Sequence, residues 1–217
     1  MALAGGADYP DIAAAPGEPT MMQTYAASPF EQFDVWMKEA VAAEINDPNA
    51  MVLATATPAG RPSLRTVLLK GVDPRGFVFY TNKTSRKGDE IAANPHVSLL
   101  FYWKSLHRQI RIEGTVEDVT DAEADAYYAT RARVSRLGAW ASIQSRPLPE
   151  RSVLEGRLAE TEARYPGDAI PRPEYWSGYR VLPSYFEFWQ DMPFRLHDRT
   201  IYTPDPSGGW GQGKLYP

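Results

Sequence analysis

Apolar residues recur at helical spacing once, early in the chain, and then give way to a succession of short β-prone runs. Phe30, Phe33, Trp36, Met37, Ala40 and Val41 fall on one helical face. Ser28-Pro29-Phe30-Glu31 opens that run with an N-cap serine, a proline at the first helical position and a glutamate placed for a capping box; Asp47-Pro48 stops it. Strand signals follow at 51–57, 63–70 and 76–81, punctuated by Pro58-Ala59-Gly60 and Asp73-Pro74-Arg75-Gly76. A short helix is predicted over 85–93, ended by Asn94-Pro95. The run 97–103 is continuously apolar, which suits a strand covered on both faces. The run 108–119 alternates: Ile110, Ile112, Gly114 and Val116 share one face, Gln109, Arg111 and Glu113 the other. Thr120-Asp121-Ala122-Glu123 is a second capping box and opens a helix through Tyr127 and Tyr128 towards Arg131. A further helix is expected over 149–165, and strands over 179–189, 195–203 and 210–215.

Many short strands in succession, with helices inserted between them, argue against a parallel βαβ sheet and for an antiparallel barrel with peripheral helices, a mainly β (α+β) fold. Residues 1–27 are rich in Ala, Gly and Pro without apolar periodicity and read as a flexible N-terminal arm; 28–217 read as a single domain. The composition, 43% hydrophobic and 23% charged, is that of an ordinary globular chain. A net charge of -4 advertises neither nucleic acid nor an anionic membrane, so any anion site must be a local cluster of Arg and Lys. The absence of cysteine excludes disulfides, thiolate metal sites and a cysteine nucleophile, and fits a reducing cytoplasm. The three histidines, His96, His107 and His197, lack metal-ligand spacing, and no metal is expected. No apolar run approaches the roughly 18 residues of a membrane span.

Candidate chemistry concentrates in three places. Arg65 and Lys70 mark the ends of one predicted strand, and Tyr80-Thr81-Asn82 a strand end. Ser85-Arg86-Lys87 begins a helix, where free N–H groups and two cations suit a phosphate; the alternative is a pair of solvated charges on a surface helix. Tyr127, Arg131 and Ser135 fall on one stripe if 120–135 is a continuous helix, so that a phenol, a guanidinium and a hydroxyl could grip a phosphate; the alternative is an ordinary polar face. Phe188-Trp189-Gln190 and Arg195-Leu196-His197-Asp198-Arg199 bring an indole, two arginines, a histidine and an aspartate close together. That set suits a flat anionic ligand, or an edge strand with a salt-bridged outer face. No hydrolytic triad or carboxylate pair stands out and there is no glycine-rich phosphate loop, so the polar groups point to phosphorylated ligands and an organic cofactor that supplies the reactivity.

Read together, these pieces resemble the pyridoxamine (pyridoxine) 5′-phosphate oxidases, homodimeric FMN enzymes with a split β-barrel fold. The resemblance rests on Arg65-Thr-Val-Leu-Leu-Lys70, Phe79-Tyr-Thr-Asn82, Ser85-Arg-Lys87, Asn94-Pro-His-Val-Ser-Leu-Leu-Phe101 and Arg108-Gln109. It continues through Gly138-Ala-Trp140, Gln144-Ser145, Phe188-Trp-Gln190 and Arg195-Leu-His-Asp-Arg199, in order from about residue 28 to the C-terminus. It implies FMN held by Arg65, Thr66, Val67, Leu68, Lys70, Tyr80, Thr81, Arg86, Lys87 and Gln109, with Gln144, Ser145, Trp189 and Arg199 reaching it too, some from a second subunit. It implies a substrate phosphate on Lys70, Tyr127, Arg131 and Ser135, with Arg195 and His197 as the catalytic pair flanking the substrate ring. The implied reaction oxidises pyridoxine 5′-phosphate or pyridoxamine 5′-phosphate to pyridoxal 5′-phosphate, with oxygen as acceptor, in a cytoplasmic homodimer that needs neither membrane nor nucleic acid. Two competing readings are a flavin oxidase of another ring, as in phenazine assembly, and a non-catalytic split barrel that binds flavin or pyridoxal phosphate.

Three details qualify the resemblance. Arg65 and Lys70 are five residues apart, so strict strand alternation puts them on opposite faces unless the strand twists, bulges or ends before Lys70. The family often has glycine after the Phe-Trp-Gln triplet, where this chain has Asp191-Met192-Pro193-Phe194. Near the C-terminus Lys214 stands where arginine is usual, which keeps the charge and loses the planar fork.

Overall fold

The fold is seen in a computed structural model that describes residues 24–217. Helix α1 (Pro29–Ala43) starts as its sequence dictates: the Ser28 hydroxyl accepts the Phe30 N–H at 3.3 Å, although Glu31 makes no return bond and the capping box is half formed. Its apolar stripe drives Phe33 and Trp36 into the core, where Phe33 meets Phe77 at 4.9 Å and Phe101 at 5.2 Å, and Trp36 meets Phe188 at 5.2 Å. Each such edge-to-face pair adds about 1 kcal/mol to the burial itself. Val41 drops out of the stripe, 62% exposed, although Ala40 beside it is fully buried in the core. The part of the expected arm up to residue 23 lies outside the described residues. Its last residues are tied down: Ala26 donates to the buried Gln32 side chain (2.9 Å) and accepts from the Tyr202 hydroxyl (2.7 Å).

Among the described residues nine strands form one antiparallel sheet: β1 (Ala50–Ala56), β2 (Pro62–Leu68), β3 (Gly71–Asp73), β4 (Gly76–Asn82), β5 (His96–Trp103), β6 (Arg108–Asp118), β7 (Trp176–Gln190), β8 (Asp198–Asp205) and β9 (Gly209–Lys214). Their order is β2-β1-β5-β6-β7-β4-β3, with β8 on β7 and β9 on β8. Strands β2 and β3 stand at opposite ends of that order, yet only Leu69 and Lys70 separate them in sequence. The Leu69 N–H reaches Asn49 O (2.9 Å) and the Lys70 N–H reaches Val78 O (2.8 Å), so this dipeptide curls the sheet back on itself. The 63–70 strand accordingly ends at Leu68, and Lys70 lies past the alternation that would have set it against Arg65.

Strand β7 serves two partners in turn. Its first residues, Trp176 to Val181, pair with β4, and Phe186 to Gln190 pair with β8. The change of partner coincides with a register shift against β6 between Glu113 and Gly114. Gly114 permits it, since a Cβ there would sit 2.1 Å from Leu182 O. This is the antiparallel barrel with peripheral helices that the element pattern implied, in the split form that the resemblance implied. One expectation fails: β5 is not covered on both faces. Val97, Leu99, Phe101 and Trp103 are buried while Tyr102 is 55% exposed, because within this chain only one side of the sheet is packed by α1 and the core.

The helices α2 (Arg86–Ala93), α3 (Asp121–Ala129), α4 (Arg133–Ala141) and α5 (Arg151–Arg164) sit around the sheet. The Thr120–Glu123 capping box forms in full at the start of α3. Arg180 of β7, 2% exposed, ties this helix to the sheet by pairing with Asp73 (2.7 Å) and Glu123 (2.6 Å). Replacing Arg180 by alanine leaves Asp73 and Glu123 only the more exposed Arg75, at 2.8 and 3.3 Å, and the expected loss is about 2 kcal/mol of stability, read as a lower urea midpoint at unchanged m-value.

Candidate active site

Where the sheet curls over, β2, the end of β4, the start of α2, the end of α3 and the inner side of α4 enclose a cavity of about 1070 Å³. Arg65, Lys70, Arg86, Lys87 and Arg131 line it, and among the described residues no carboxylate does. Thr66, Val67, Leu68, Tyr80, Thr81, Tyr127, Ser135, Gln144 and Ser145 complete the sequence-derived set found there. Five cations facing one space, in a chain of net charge -4, is the main electrostatic fact of the molecule.

Each cation is held differently. Arg65 projects from β2 and donates to Thr55 Oγ1 (2.6 Å), Ser63 Oγ (2.8 Å), Leu53 O (3.2 Å) and Glu90 Oε2 (3.2 Å). Arg86 reaches the other oxygen of Glu90 at 2.8 Å. Burial pushes the Glu90 carboxyl up, but hydrogen bonds from Thr55, Arg86 and Arg65 outweigh it and hold the group below the usual carboxylate range. Lys87 is buried and has only neutral partners: Gln144 Oε1 at 2.9 Å, Thr81 Oγ1 at 3.1 Å and Ser85 Oγ at 3.1 Å. Burial, with Arg65 adding repulsion, pulls its pKa down to about 8. Arg131 lies over the Trp176 ring at 4.6 Å, and its Nη1 is buried without a hydrogen-bond partner. Burial lowers its pKa from the ordinary arginine value. Lys70 stands 5.9 Å from the Tyr127 ring.

The aromatic wall follows from register. Tyr80 pairs with Gly178, where a Cβ would come within 2.7 Å of the Tyr80 ring; glycine there leaves room for the ring to lie flat. Tyr80 then stacks on Tyr127 (4.1 Å, 15°) and on Trp176 (5.5 Å, 4°). Tyr127, Arg131 and Ser135 do not share one helix as the stripe required. Helix α3 ends at Ala129, where the Thr130 hydroxyl takes the Tyr127 carbonyl (2.8 Å) and the Thr130 N–H tightens the last turn, and α4 starts afresh at Arg133. The bend keeps all three on the same cavity. Ser145 holds a left-handed backbone (φ 68°) beside Gln144, the kind of local strain that persists where structure around it imposes it.

Three other members of the set lie elsewhere. Gln109, Trp189 and Arg199 occupy one row across β6, β7 and β8, paired Gln109 to Trp189 and Trp189 to Arg199. With Leu100, Arg111, Glu187 and Pro217 they line a separate, smaller cavity of about 230 Å³. Here Arg199 donates to Glu187 (2.7 Å), which also pairs with Arg111 (2.8 Å). Burial pushes Glu187 up, and Arg199 and Arg111 bring it below the usual carboxylate range. Trp176 and Trp189 thus stand near opposite ends of β7, on the order of 40 Å apart along the strand. Arg195 and His197 line neither of these two cavities. The strand expected from 195 begins only at Asp198. Arg195 ends a short 3-10 turn (Pro193–Arg195), and the His197 ring rests 4.6 Å from the Trp189 indole. Asp198 pairs with Lys214, which also meets Thr200 at 2.8 Å, so the lysine at this position has a structural partner.

Sequence reasoning missed Glu90, Trp176 and Gly178. Glu90 could have been found from its place four residues after Arg86 on a helix. Trp176 could not, since β7 starts three residues before its apolar pattern becomes clear.

Comparison with known proteins adds an independent line. A family model described as pyridoxamine 5′-phosphate oxidase matches residues 37–165, and a second, described as the pyridoxine 5′-phosphate oxidase C-terminal dimerisation region, matches residues 176–217. A pyridoxine/pyridoxamine 5′-phosphate oxidase of Gluconobacter oxydans is 63% identical over 191 residues, 88% of this chain and 95% of the relative. One from Granulibacter bethesdensis is 63% identical over 194 residues, 87% of this chain and 91% of the relative. Among solved structures, PhzG from Burkholderia lata, in complex with tetrahydrophenazine-1-carboxylic acid, superposes with a TM-score of 0.83 at 35% identity, covering 88% of this chain and 94% of the other.

The depressed Lys87 pKa makes a directional prediction. Between about pH 8 and the ordinary lysine value of about 10.4 the unfolded chain binds a proton that the folded chain does not, so this group's contribution to stability rises with pH across that window and is least below it. Denaturant titrations of the ligand-free protein and of Lys87→Met, compared from pH 7 to 10, should show the variant lacking this increment.

Proposed function

We propose, from the premise that this chain belongs to the pyridoxamine 5′-phosphate oxidase family, that it is an FMN-dependent oxidase converting pyridoxine 5′-phosphate and pyridoxamine 5′-phosphate to pyridoxal 5′-phosphate. The observation that carries the reading is the cavity with five cations and, among the described residues, no carboxylate. One phosphate, at about −2, would leave that space strongly positive; two phosphates, one from a cofactor and one from a substrate, nearly balance it. The donor set fits FMN: a buried ammonium satisfied only by neutral dipoles, a helix start and an arginine with open donors make a phosphate cradle at Arg86 and Lys87.

In this reading Arg65, Tyr80, Thr81, Arg86, Lys87, Gln144 and Ser145 hold the cofactor, with the β2 segment Thr66-Val67-Leu68 alongside. Lys70, Tyr127, Arg131 and Ser135 take the substrate phosphate. The unmet Nη1 donor of Arg131 supports its part in this. Gln109, Trp189 and Arg199 act from a second copy of the chain, with Arg195 and His197 beside the substrate ring. The division of the set supports sharing: Gln109, Trp189 and Arg199 line a cavity that has no residue in common with the large one. The match of residues 176–217 to a dimerisation region points the same way. The chemistry FMN supplies when bound is hydride acceptance at N5 from substrate C4′, with oxygen then reduced to hydrogen peroxide. The chain's own work is to neutralise two phosphates, fix the ring between them and shield the reacting carbon from water. No helix among the described residues is long and apolar enough to cross a membrane, and we place the enzyme in the cytoplasm.

A phenazine-type substrate, suggested by the likeness to PhzG, would leave the phosphate grip unused. All four of its residues converge on one cavity, which favours the phosphorylated substrates. The purified protein should be yellow, release FMN on denaturation, and form pyridoxal 5′-phosphate and peroxide in air; a protein that cannot be loaded with FMN contradicts the reading. Arg131→Ala should raise KM for pyridoxine 5′-phosphate at least about tenfold, and an unchanged KM would remove Arg131 from the phosphate site. Mixing inactive Lys87→Ala and Arg199→Ala proteins through an unfolding–refolding cycle should restore about a quarter of wild-type activity, because half the dimers then carry one intact site of two. No recovery would mean that each chain builds its site alone.

A further inference from the structure

The link between β7 and β8 is built around a contact that the family resemblance does not supply. Phe194 and Arg195 both adopt left-handed backbone (φ 60° and 59°), a costly conformation for non-glycine residues. Packing does not hold it, since Phe194 is 93% exposed. What spans the turn is Asp191, whose Oδ1 lies 2.9 Å from His197 Nδ1, while the Asp191 N–H is anchored on His107 O at 2.9 Å.

The short contact decides a proton position. A carboxylate oxygen and an imidazole lone pair repel at 2.9 Å, so Nδ1 must carry hydrogen and donate to Asp191. The Met192 N–H also points at Nδ1, at 3.3 Å, and could be accepted only by the other tautomer; the shorter, charge-assisted contact prevails. The second oxygen of Asp191 faces the exposed His107 at 3.9 Å, too far to compete. With the indole of Trp189 against its ring at 4.6 Å, His197 is fixed at Nδ1 and on one face, and Nε2 is the nitrogen left to address a ligand.

We propose that Asp191 is a positioning residue: it locks His197 as the Nδ1–H tautomer, so that Nε2 of the neutral ring meets the substrate as a hydrogen-bond acceptor. The functional part of this rests on the oxidase reading; the tautomer does not. Because the chain has three histidines, nitrogen-15 NMR of histidine-labelled FMN-loaded protein can resolve each imidazole, with His197→Gln identifying the signal. Spectra are recorded over a pH series, and the tautomer is read where the His197 signals themselves show the neutral ring. His197 should be Nδ1–H in the wild type and in Asp191→Asn, whose amide oxygen can still accept, and should shift towards Nε2–H in Asp191→Ala. Asp191→Ala should lower kcat for pyridoxine 5′-phosphate by roughly tenfold, with FMN affinity and KM within about twofold, and Asp191→Asn should recover most of the loss. A wild-type His197 in the Nε2–H form overturns the proposal. So does an Asp191→Ala protein that loses turnover without a change of tautomer, which would mark Asp191 as merely structural. A wild type with no oxidase activity would refute the functional reading, while the tautomer comparison would still decide the pairing.

Discussion

Holding five cations around one cavity is the constraint that organises this molecule. Like charges at contact distance repel by about 4 kcal/mol at an effective dielectric near 20, and burial adds a desolvation cost to each. The chain meets this from behind the wall. Glu90, buried on α2, takes up part of the charge of Arg65 and Arg86 from the side away from the cavity. Arg131 is set on the face of Trp176, and Lys87 is left with dipoles alone. Burial first, and repulsion from Arg65 second, lower the pKa of Lys87, and one donor of Arg131 is left unmet. Such a site is organised in advance of its ligand, and an anion entering it relieves repulsion already present.

The sheet explains why the cations can be so close. Curling β2 back through Leu69 and Lys70 onto β4 brings the Arg65 strand, the Tyr80 strand end and the α2 start to one mouth. The Arg180 pairs with Asp73 and Glu123 then fix α3 against the sheet, which sets Tyr127 on Tyr80. The smaller cavity at Trp189 is organised by the opposite rule. There Glu187 sits between Arg111 and Arg199, so one carboxylate inside the site itself offsets part of the charge of two arginines.

Local patterning made most elements readable. Alternation, capping boxes and Pro/Gly stops depend only on neighbours in sequence, so the helix at Pro29, the box at Thr120 and the β-runs could be read directly. What escaped depends on distant partners. The row Gln109, Trp189, Arg199 exists only through strand register, and the break between α3 and α4 through the Thr130 hydroxyl taking a carbonyl. The run through Trp103 looked doubly covered because its apolar side chains do not say which face meets the core. The Phe188–Arg199 stretch suggested either a binding site or an edge strand with a salt-bridged face; the ion pairs form, but β8 lies between β7 and β9 and is no edge. Arg199 and Asp198 are ion-paired while lying next to Trp189 and His197.

Strand β7 also bears on how this chain can change length. It is hydrogen-bonded along both edges, to β6 on one side and to β4 then β8 on the other. Adding or deleting one residue inside it would turn every later side chain to the opposite face, taking Trp189 out of its row with Gln109 and Arg199. Only the bulge opposite Gly114 offers a place where an extra residue could be absorbed. Tags, grafted loops or natural insertions are therefore better accommodated at exposed hairpin tips such as Pro58-Ala59-Gly60 and Pro206-Ser207-Gly208 than anywhere between Trp176 and Gln190.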